Sequence, residues 1–293
     1  MQLKLFKSLW EVVGFTGSPL RIRLNEQAEA YIASVAEAGY AGIESPLPIP
    51  EQEDLLMGLL EKYRLEYIAQ VLTVDPHASS FEAQVREAVR FNPLFIVSQS
   101  AKDWMPYDEQ KQYFEQAVAV ERDLGIAVAH ETHRGRALNV PWNTAKLIEE
   151  VPGLKLNADF SHWCCVCESL LEDQAEIVAK ACVHSIHIHG RIGHAEGPQV
   201  ADPRAPEYAR ELEVHMEWWE KICQSRKDSG AKLMTFTPEF GPPGYMPTLP
   251  FTKQPVTDVW EVNLWMAEQF RFRFEQMFAA ESGSRILSTG INP

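Results

Sequence analysis

The apolar residues of this chain fall into short strand-like runs that alternate with amphipathic helical stretches. Eight runs of strand character lie at about 5–15, 41–46, 65–73, 93–100, 126–131, 154–159, 183–189 and 232–239. Between them apolar positions recur at helical spacing, which predicts helices at about 26–38, 51–63, 81–91, 108–124, 142–151, 169–181 and 206–226. Strands that alternate with helices in this way predict an α/β protein with one closed (β/α)8 TIM barrel, over about residues 5–240.

The C-terminal region departs from this repeat. From residue 241 a segment rich in Gly and Pro follows the eighth strand and predicts an irregular loop. Residues 257–278 then carry a helical, aromatic-rich pattern, which predicts an extra helix that packs across the outside of the barrel. The helix has more aromatic residues than one buried face requires. A second interpretation is therefore that it forms the contact of a homo-oligomer. No linker or composition shift divides the chain, so residues 1–293 are predicted to form one domain, with the loop and closing helix in 241–293.

The strands of the second half have one polar face up to their carboxyl ends. In the stretch LKLNADFSHW at 154–163, apolar positions alternate with polar ones as far as Asp159. Strands of a parallel sheet are normally apolar on both faces, so a polar face predicts a barrel strand that points into a site. Three neighbouring strands end in the same way, at Glu131, His189 and Glu239.

A metal ion accounts for these four strand ends. Active sites of TIM barrels lie at the carboxyl ends of the strands. There, three carboxylates and one imidazole would repel one another and lose hydration unless a divalent cation bound them. Oxygen-rich ligands with one nitrogen favour Mn, Co or Mg over tetrahedral Zn, and we expect Mn first. About two positions would remain for adjacent substrate oxygens. His187 lies one inward step from His189 and is the alternative imidazole ligand.

Composition and charge exclude several classes of partner. The chain has 45% hydrophobic and 23% charged residues, which is typical of a globular protein. Its formal net charge of -14 repels phosphate backbones and anionic membranes, so we expect neither nucleic acid nor a membrane as partner. No stretch approaches the ~18 apolar residues of a membrane span, and we see no secretion signal. The five cysteines fit no zinc-finger or disulfide pattern, so we expect a cytoplasmic location.

Four motifs of the second half resemble the xylose isomerase-like TIM-barrel superfamily. They are HETHRGR around Glu131, DFSH from Asp159 to His162, HIHGR from His187 to Arg191, and PEFGPPGY around Glu239. The superfamily holds sugar isomerases, 3-epimerases such as tagatose 3-epimerase, hydroxypyruvate isomerase, inosose dehydratase and endonuclease IV. The resemblance implies that the same four strand-end residues hold the metal, and that His162 contacts the substrate.

The resemblance also implies chemistry on a carbon next to a carbonyl group of a small sugar. The metal would chelate the carbonyl oxygen and the neighbouring hydroxyl, and stabilise the enediolate that forms on deprotonation. Glu131 and Glu239, on opposite faces of the substrate, would remove and return the proton. His162 and Arg191 would hold substrate hydroxyls or an oxyanion. His133 and the two arginines after it would bind a distal part of the substrate.

The first half offers further pocket residues, and the reaction class has alternatives. Trp10 is expected as a stacking ring and Glu44 as a sugar-binding polar group, while His187 would contact substrate if it is not a ligand. The favoured function is a metal-dependent isomerase or epimerase of a keto-sugar or related polyol. A lyase with His162 or His133 as the acid is the alternative. A non-catalytic sugar-binding barrel and an endonuclease IV-like nuclease are disfavoured, the nuclease because the early strand ends carry no histidine.

Overall fold

The computed structural model describes residues 1–283 and forms a closed barrel of eight parallel strands. The barrel strands are β1 (Gln2–Ser8), β4 (Gly42–Pro46), β5 (Glu66–Leu72), β6 (Ile96–Gln99), β7 (Val128–Glu131), β8 (Leu156–Ala158), β9 (Ser185–His189) and β10 (Leu233–Thr237). They are hydrogen-bonded in the order β1, β10, β9, β8, β7, β6, β5, β4, and β4 returns to β1. The predicted (β/α)8 barrel is therefore confirmed.

Helices surround the barrel and follow the predicted rhythm. They are α1 (Ala28–Glu37), α2 (Glu53–Tyr63), α3 (His77–Ala88), α4 (Tyr107–Leu124), α5 (Pro141–Glu150), α6 (Ser161–Cys167), α7 (Ala175–His184), α8 (Ala209–Asp228) and α9 (Val259–Gly283). None of these helices is long and apolar enough to cross a membrane. The predicted closing helix is α9, and the part of the predicted C-terminal region beyond residue 283 lies outside the described residues.

The predicted first strand is too long. It ends at Ser8, and the residues that follow form an antiparallel hairpin, β2 (Val13–Thr16) with β3 (Arg21–Leu24). Gly17 in the hairpin turn has φ 81°, a left-handed conformation that favours glycine. The hairpin is anchored to the barrel because Ile22 is fully buried. Since the apolar pattern continues through β1 and β2, the sequence gives no signal of the break.

A second difference lies directly after β8. The sequence predicts a loop there and a helix from about 169, whereas the structure forms α6 first and starts α7 only at Ala175. Two non-glycine residues with left-handed backbones, Glu168 (φ 49°) and Leu171 (φ 59°), separate the two helices. Residues of this type adopt such conformations only when the surrounding structure imposes them, so local propensity did not predict the break.

Apolar residues close the lower part of the barrel and anchor the outer helices. Phe6, Ile68, Phe95, Val97 and Ala129 form a buried cluster apart from the large core between barrel and helices. On the outside, Phe270 of α9 stacks on Phe236 of β10 with ring centroids 4.0 Å apart. Burying one such side chain contributes roughly 1.5–3 kcal/mol. The interior near the carboxyl ends of the strands is polar instead, and that layer supports the site.

Candidate metal centre

Four neighbouring strands bring one carboxylate or imidazole each to a common point. Glu131 ends β7, Asp159 follows β8, His189 ends β9 and Glu239 follows β10. One ligand atom from each residue lies within 4.8 Å of the others. All four side chains are buried, with at most 5% of the residue exposed. The convergence follows from the parallel register, in which Thr237 pairs with His189 and carboxyl ends meet at one edge.

Three of the four residues in this cluster have buried side-chain atoms without hydrogen-bond partners, and Asp159 is the exception. Both carboxylate oxygens of Glu131, Nδ1 of His189 and Oε2 of Glu239 are buried and unpartnered. His189 Nδ1 lies only 2.9 Å from Glu239 Oε2, yet the two atoms form no hydrogen bond. A buried polar atom without a partner costs roughly 1–3 kcal/mol, and more when it is charged. A divalent cation would satisfy these atoms together, so the residues fit a metal ion.

A carboxylate inside the barrel orients the imidazole of this set. Glu44 Oε1 accepts hydrogen bonds from His189 Nε2 at 2.7 Å and from Gln70 Nε2 at 2.8 Å. Glu44 Oε2 accepts from Thr237 Oγ1 at 2.6 Å and lies 3.2 Å from His187 Nε2. Because Nε2 of His189 donates to Glu44, Nδ1 is the nitrogen that faces the other ligands, and it carries the lone pair once the ring gives up its second proton to bind a cation. Such outer carboxylates commonly fix the tautomer of metal-binding histidines.

Glu44 and His187, which the sequence predicts as substrate contacts, lie fully buried inside the barrel. The nitrogens of His187 are both engaged, Nδ1 with Thr235 Oγ1 at 2.7 Å and Nε2 with Glu44. Of the two candidate imidazoles, only His189 keeps a free nitrogen. Burial would raise the pKa of Glu44, but His189 and His187 hold it well below its usual value, so the carboxylate is ionised.

Arg191 lies beside the ligand set and shares its carboxylates. Its Nη2 donates to Asp159 Oδ2, approaches His162 Nε2 at 2.8 Å, and lies 3.4 Å from Glu239 Oε2. The side chain is 1% exposed, so these contacts are shielded from water. Burial raises the pKa of Asp159 to about 6 against the opposing charge of Arg191, and Glu239 adds to the rise.

Glu131 and His189 have their pKa values shifted in opposite directions. Burial would raise the pKa of Glu131, but His133, His189 and Arg191 lower it to about 2. Burial would lower the pKa of His189, but Glu239 and Glu44 hold it well above its usual value. In the absence of a cation, Glu131 is therefore ionised and His189 protonated near neutral pH.

Aromatic rings and histidines form the wall above the ligands. His133 and His162 contact each other with ring centroids 3.9 Å apart. The guanidinium carbon of Arg191 lies 4.6 Å from the ring centroid of Tyr245 and 5.9 Å from that of Trp10. The rings of Trp10 and Tyr245 are 5.1 Å apart. Trp10 thus lies beside Arg191 and Tyr245, and its role as a stacking ring stays a prediction.

Tyr245 was missed by sequence reasoning, although it ends the PEFGPPGY motif. It belongs to the Gly/Pro-rich loop after β10, and two contacts hold this loop against the site. Gln199 accepts a hydrogen bond from Gly241 N at 2.8 Å and donates one to Gly241 O at 3.3 Å. A Cβ at Gly241 would lie 3.0 Å from the Trp10 ring, so glycine permits the close approach. The signal in the sequence was the glycine and proline spacing, which indicates a shaped loop rather than a linker.

Comparisons with known proteins agree on the fold. No protein-family model matches the sequence, and no curated protein matches it significantly. A D-allulose 3-epimerase structure from Methylomonas sp. is 16% identical with a TM-score of 0.59, covering 92% of this chain and 97% of that one. A xylose isomerase-like TIM barrel protein from Mycobacterium smegmatis, in complex with magnesium, is 11% identical with a TM-score of 0.62 and coverages of 94% and 97%.

A third solved structure represents a different reaction class. It is the probable 3-DHS dehydratase involved in petrobactin synthesis from Bacillus anthracis, 18% identical with a TM-score of 0.53, covering 80% of this chain and 92% of that one. At these identities the likeness establishes the fold. The chain has the fold of the xylose isomerase-like TIM barrels, as its motifs predict.

Proposed function

We propose that this protein is a divalent-metal-dependent isomerase or epimerase of a keto-sugar or a related polyol. The observation that carries the proposal is the buried set of four ligand atoms within 4.8 Å of one another, most of which have no other partner. Two proteins of similar fold support it: one is a D-allulose 3-epimerase, and the other is a xylose isomerase-like TIM barrel protein that binds magnesium.

The ligand set would be Glu131, Asp159, His189 and Glu239. Three carboxylates and one imidazole favour an octahedral ion, with Mn first and Mg, Co or Zn as alternatives. When bound, the cation would offset the negative charge that develops on a carbonyl oxygen as the adjacent carbon loses its proton. The ionised Glu44 would keep the proton of His189 on Nε2, so that Nδ1 is the nitrogen that binds the cation.

Two glutamates would move the proton. Glu131 and Glu239 come from β7 and β10, which are separated by two strands, so they approach the centre from different sides. Glu131 is ionised, because its neighbours lower its pKa to about 2, and it can accept a proton. A carboxylate of such low pKa is a weak base in water, but the C–H group next to a polarised carbonyl is itself more acidic. One glutamate would remove the proton and the other would return one.

His162 and Arg191 would hold the substrate. Burial, together with His133 and Arg191, lowers the pKa of His162 well below its usual value, so the ring is neutral. Its Nε2 faces Arg191 Nη2 at 2.8 Å and must accept, which assigns the proton to Nδ1. That Nδ1 is buried without a partner and is suited to donate to a substrate oxygen.

The lyase alternative needs an acid over the leaving group. The candidates are His162 and His133, and burial lowers the pKa of both. A neutral imidazole is a poor proton donor to a departing hydroxyl. The lowered pKa values of the two histidines therefore favour isomerisation or epimerisation over elimination. The dehydratase relative keeps the lyase as the second candidate. The net charge of -14 disfavours a nuclease.

The test begins with elemental analysis of the purified protein. The protein is then incubated with a panel of ketoses and 3-keto sugars in D2O. We expect about one divalent ion per chain and deuterium next to the carbonyl with no loss of water. Deuterium entry with a product lighter by water or a leaving group would favour the lyase. A protein that holds no metal and does not depend on added metal would contradict the proposal.

A further inference from the structure

The wall of the site carries positive charge that the metal ligands do not use. Arg134 follows β7, and its guanidinium carbon lies 5.1 Å from the ring centroid of Tyr245. Arg191 lies 4.6 Å from the same ring, so Tyr245 joins the two arginines. Arg191 is paired with Asp159, whereas Arg134 forms no ion pair with any described carboxylate. Arg134 is thus an unneutralised cation at the mouth of the site.

A charge count at the site supports this assignment. The three carboxylates of the ligand set and the ionised Glu44 carry four negative charges, against three positive charges from one divalent cation and Arg191. Arg134 and Arg136 from the loop after β7 add two more, which leaves one positive charge in excess. The contrast with the rest of the protein is large, because the chain as a whole carries -14. A positive mouth on an acidic protein concentrates anions at that place.

Arg136 adds to the same charge from the same loop. Its Nη1 donates to the backbone oxygens of Thr73 at 3.0 Å and Ala101 at 3.4 Å. These are neutral acceptors, and Arg136 has no described carboxylate as an ion-pair partner. An arginine keeps its charge when it binds carbonyl groups. The loop after β7 therefore presents two arginines without counter-ions.

A buried donor lies near Tyr245, the ring that Arg134 contacts. His162 is fully buried, its Nδ1 has no partner, and its ring lies 6.4 Å from that of Tyr245. A buried N–H without an acceptor is costly, and a ligand oxygen would remove that cost. Tyr245 contacts both Arg134 and Arg191. The Nδ1 atom of His162 and the charge of Arg134 therefore lie on the same side of the candidate metal centre.

We infer that the substrate carries an anionic group, a carboxylate or a phosphate, which binds Arg134 and the Nδ1–H of His162 beside the metal centre. The inference rests on the proposed function and names its class of substrate. A guanidinium fork matches either oxyanion with two parallel hydrogen bonds, and such charge-assisted bonds are stronger than neutral ones. A neutral ketose would leave Arg134 without a counter-ion.

The test compares three ketohexoses that differ only at C6: D-fructose, D-fructuronate and D-fructose 6-phosphate. Their dissociation constants are measured by titration calorimetry on the Mn-loaded protein. At least one anionic ligand is expected to bind about tenfold or more tightly than fructose, and the preference is expected to fall at high salt. The tighter of the two anions distinguishes a carboxylate from a phosphate.

Two variants make the test specific. Arg134→Met removes the charge and keeps the chain length, and is expected to bring the preference for the anion close to parity. The matched control is Arg122→Met, which removes one positive charge from the exposed face of α4. It is expected to leave the preference unchanged.

Equal affinity for the three sugars, binding of none of them, or an unchanged preference in Arg134→Met would overturn the inference. The proposed function fails separately. Anion preference without deuterium exchange would contradict the isomerase and leave the anion site standing. Exchange on neutral ketoses without anion preference would contradict only the anion site.

Discussion

Glu44 Oε1 and His189 Nε2 lie 2.7 Å apart, and this hydrogen bond spans 145 residues of sequence. Glu44 belongs to β4 and His189 to β9, so the contact crosses the interior of the barrel. It determines which nitrogen of His189 faces the ligand set. The nitrogen that His189 presents to Glu131, Asp159 and Glu239 therefore depends on a carboxylate outside that set.

Replacing Glu44 with Gln is expected to weaken metal binding about 10- to 100-fold. An amide can donate to Nε2, and the proton of His189 would then move to Nδ1, which removes the lone pair from the site. Titration calorimetry with Mn measures the affinity, and ¹⁵N NMR of the histidines reports the tautomer. The control Gln70→Leu removes another donor to Glu44 and leaves the tautomer in place. Equal affinity in Glu44→Gln and the wild type would contradict the role of Glu44.

Replacing Glu131 or Glu239 with Gln is expected to lower the rate of deuterium exchange by about 100-fold to 10,000-fold. Each amide removes the proton acceptor and preserves the size of the side chain. Since both residues are also expected ligands, the rates are compared at saturating metal with the metal content measured. Near-full turnover in either variant would rule out the two-glutamate mechanism.

Metal affinity is expected to fall as pH falls through about 6. Burial raises the pKa of Asp159 to about 6, so this ligand is protonated below that value and must lose its proton to bind. Glu239 and Glu44 hold the pKa of His189 well above its usual value, so metal binding also releases a proton near neutral pH. Calorimetry in buffers of different ionisation enthalpy counts that proton. Binding without proton release and without pH dependence would exclude these two residues as ligands.

Replacing Gly241 with Ala is expected to distort the mouth of the site. The added Cβ would lie 3.0 Å from the Trp10 ring and 3.3 Å from the Tyr245 Cβ. Overpacking of this kind costs roughly 1–3 kcal/mol, and we expect a higher KM with metal affinity retained. The control is Gly58→Ala on an exposed position of α2, where nothing lies within 4 Å of the added group. If KM rose equally in both variants, contact with Trp10 would not be the cause.

Local patterns in the sequence determined the architecture and predicted the place of the candidate site. Alternation of strands and helices predicted the barrel, because both periodicities are properties of neighbouring residues. The parity of side chains along strands predicted that Glu131, Asp159, His189 and Glu239 would meet, and their ligand atoms do lie within 4.8 Å of one another. Their role as metal ligands stays a prediction.

Only the tertiary structure decided what lies around that set. Closure of the barrel brings Glu44 against His189 and engages both nitrogens of His187, and no local pattern encodes a contact across the interior. Folding of the Gly/Pro loop brings Tyr245 between Arg134 and Arg191. These contacts depend on the positions of distant segments in space. The sequence by itself therefore determined which groups end the strands, and the fold decided which of their atoms remain free to bind.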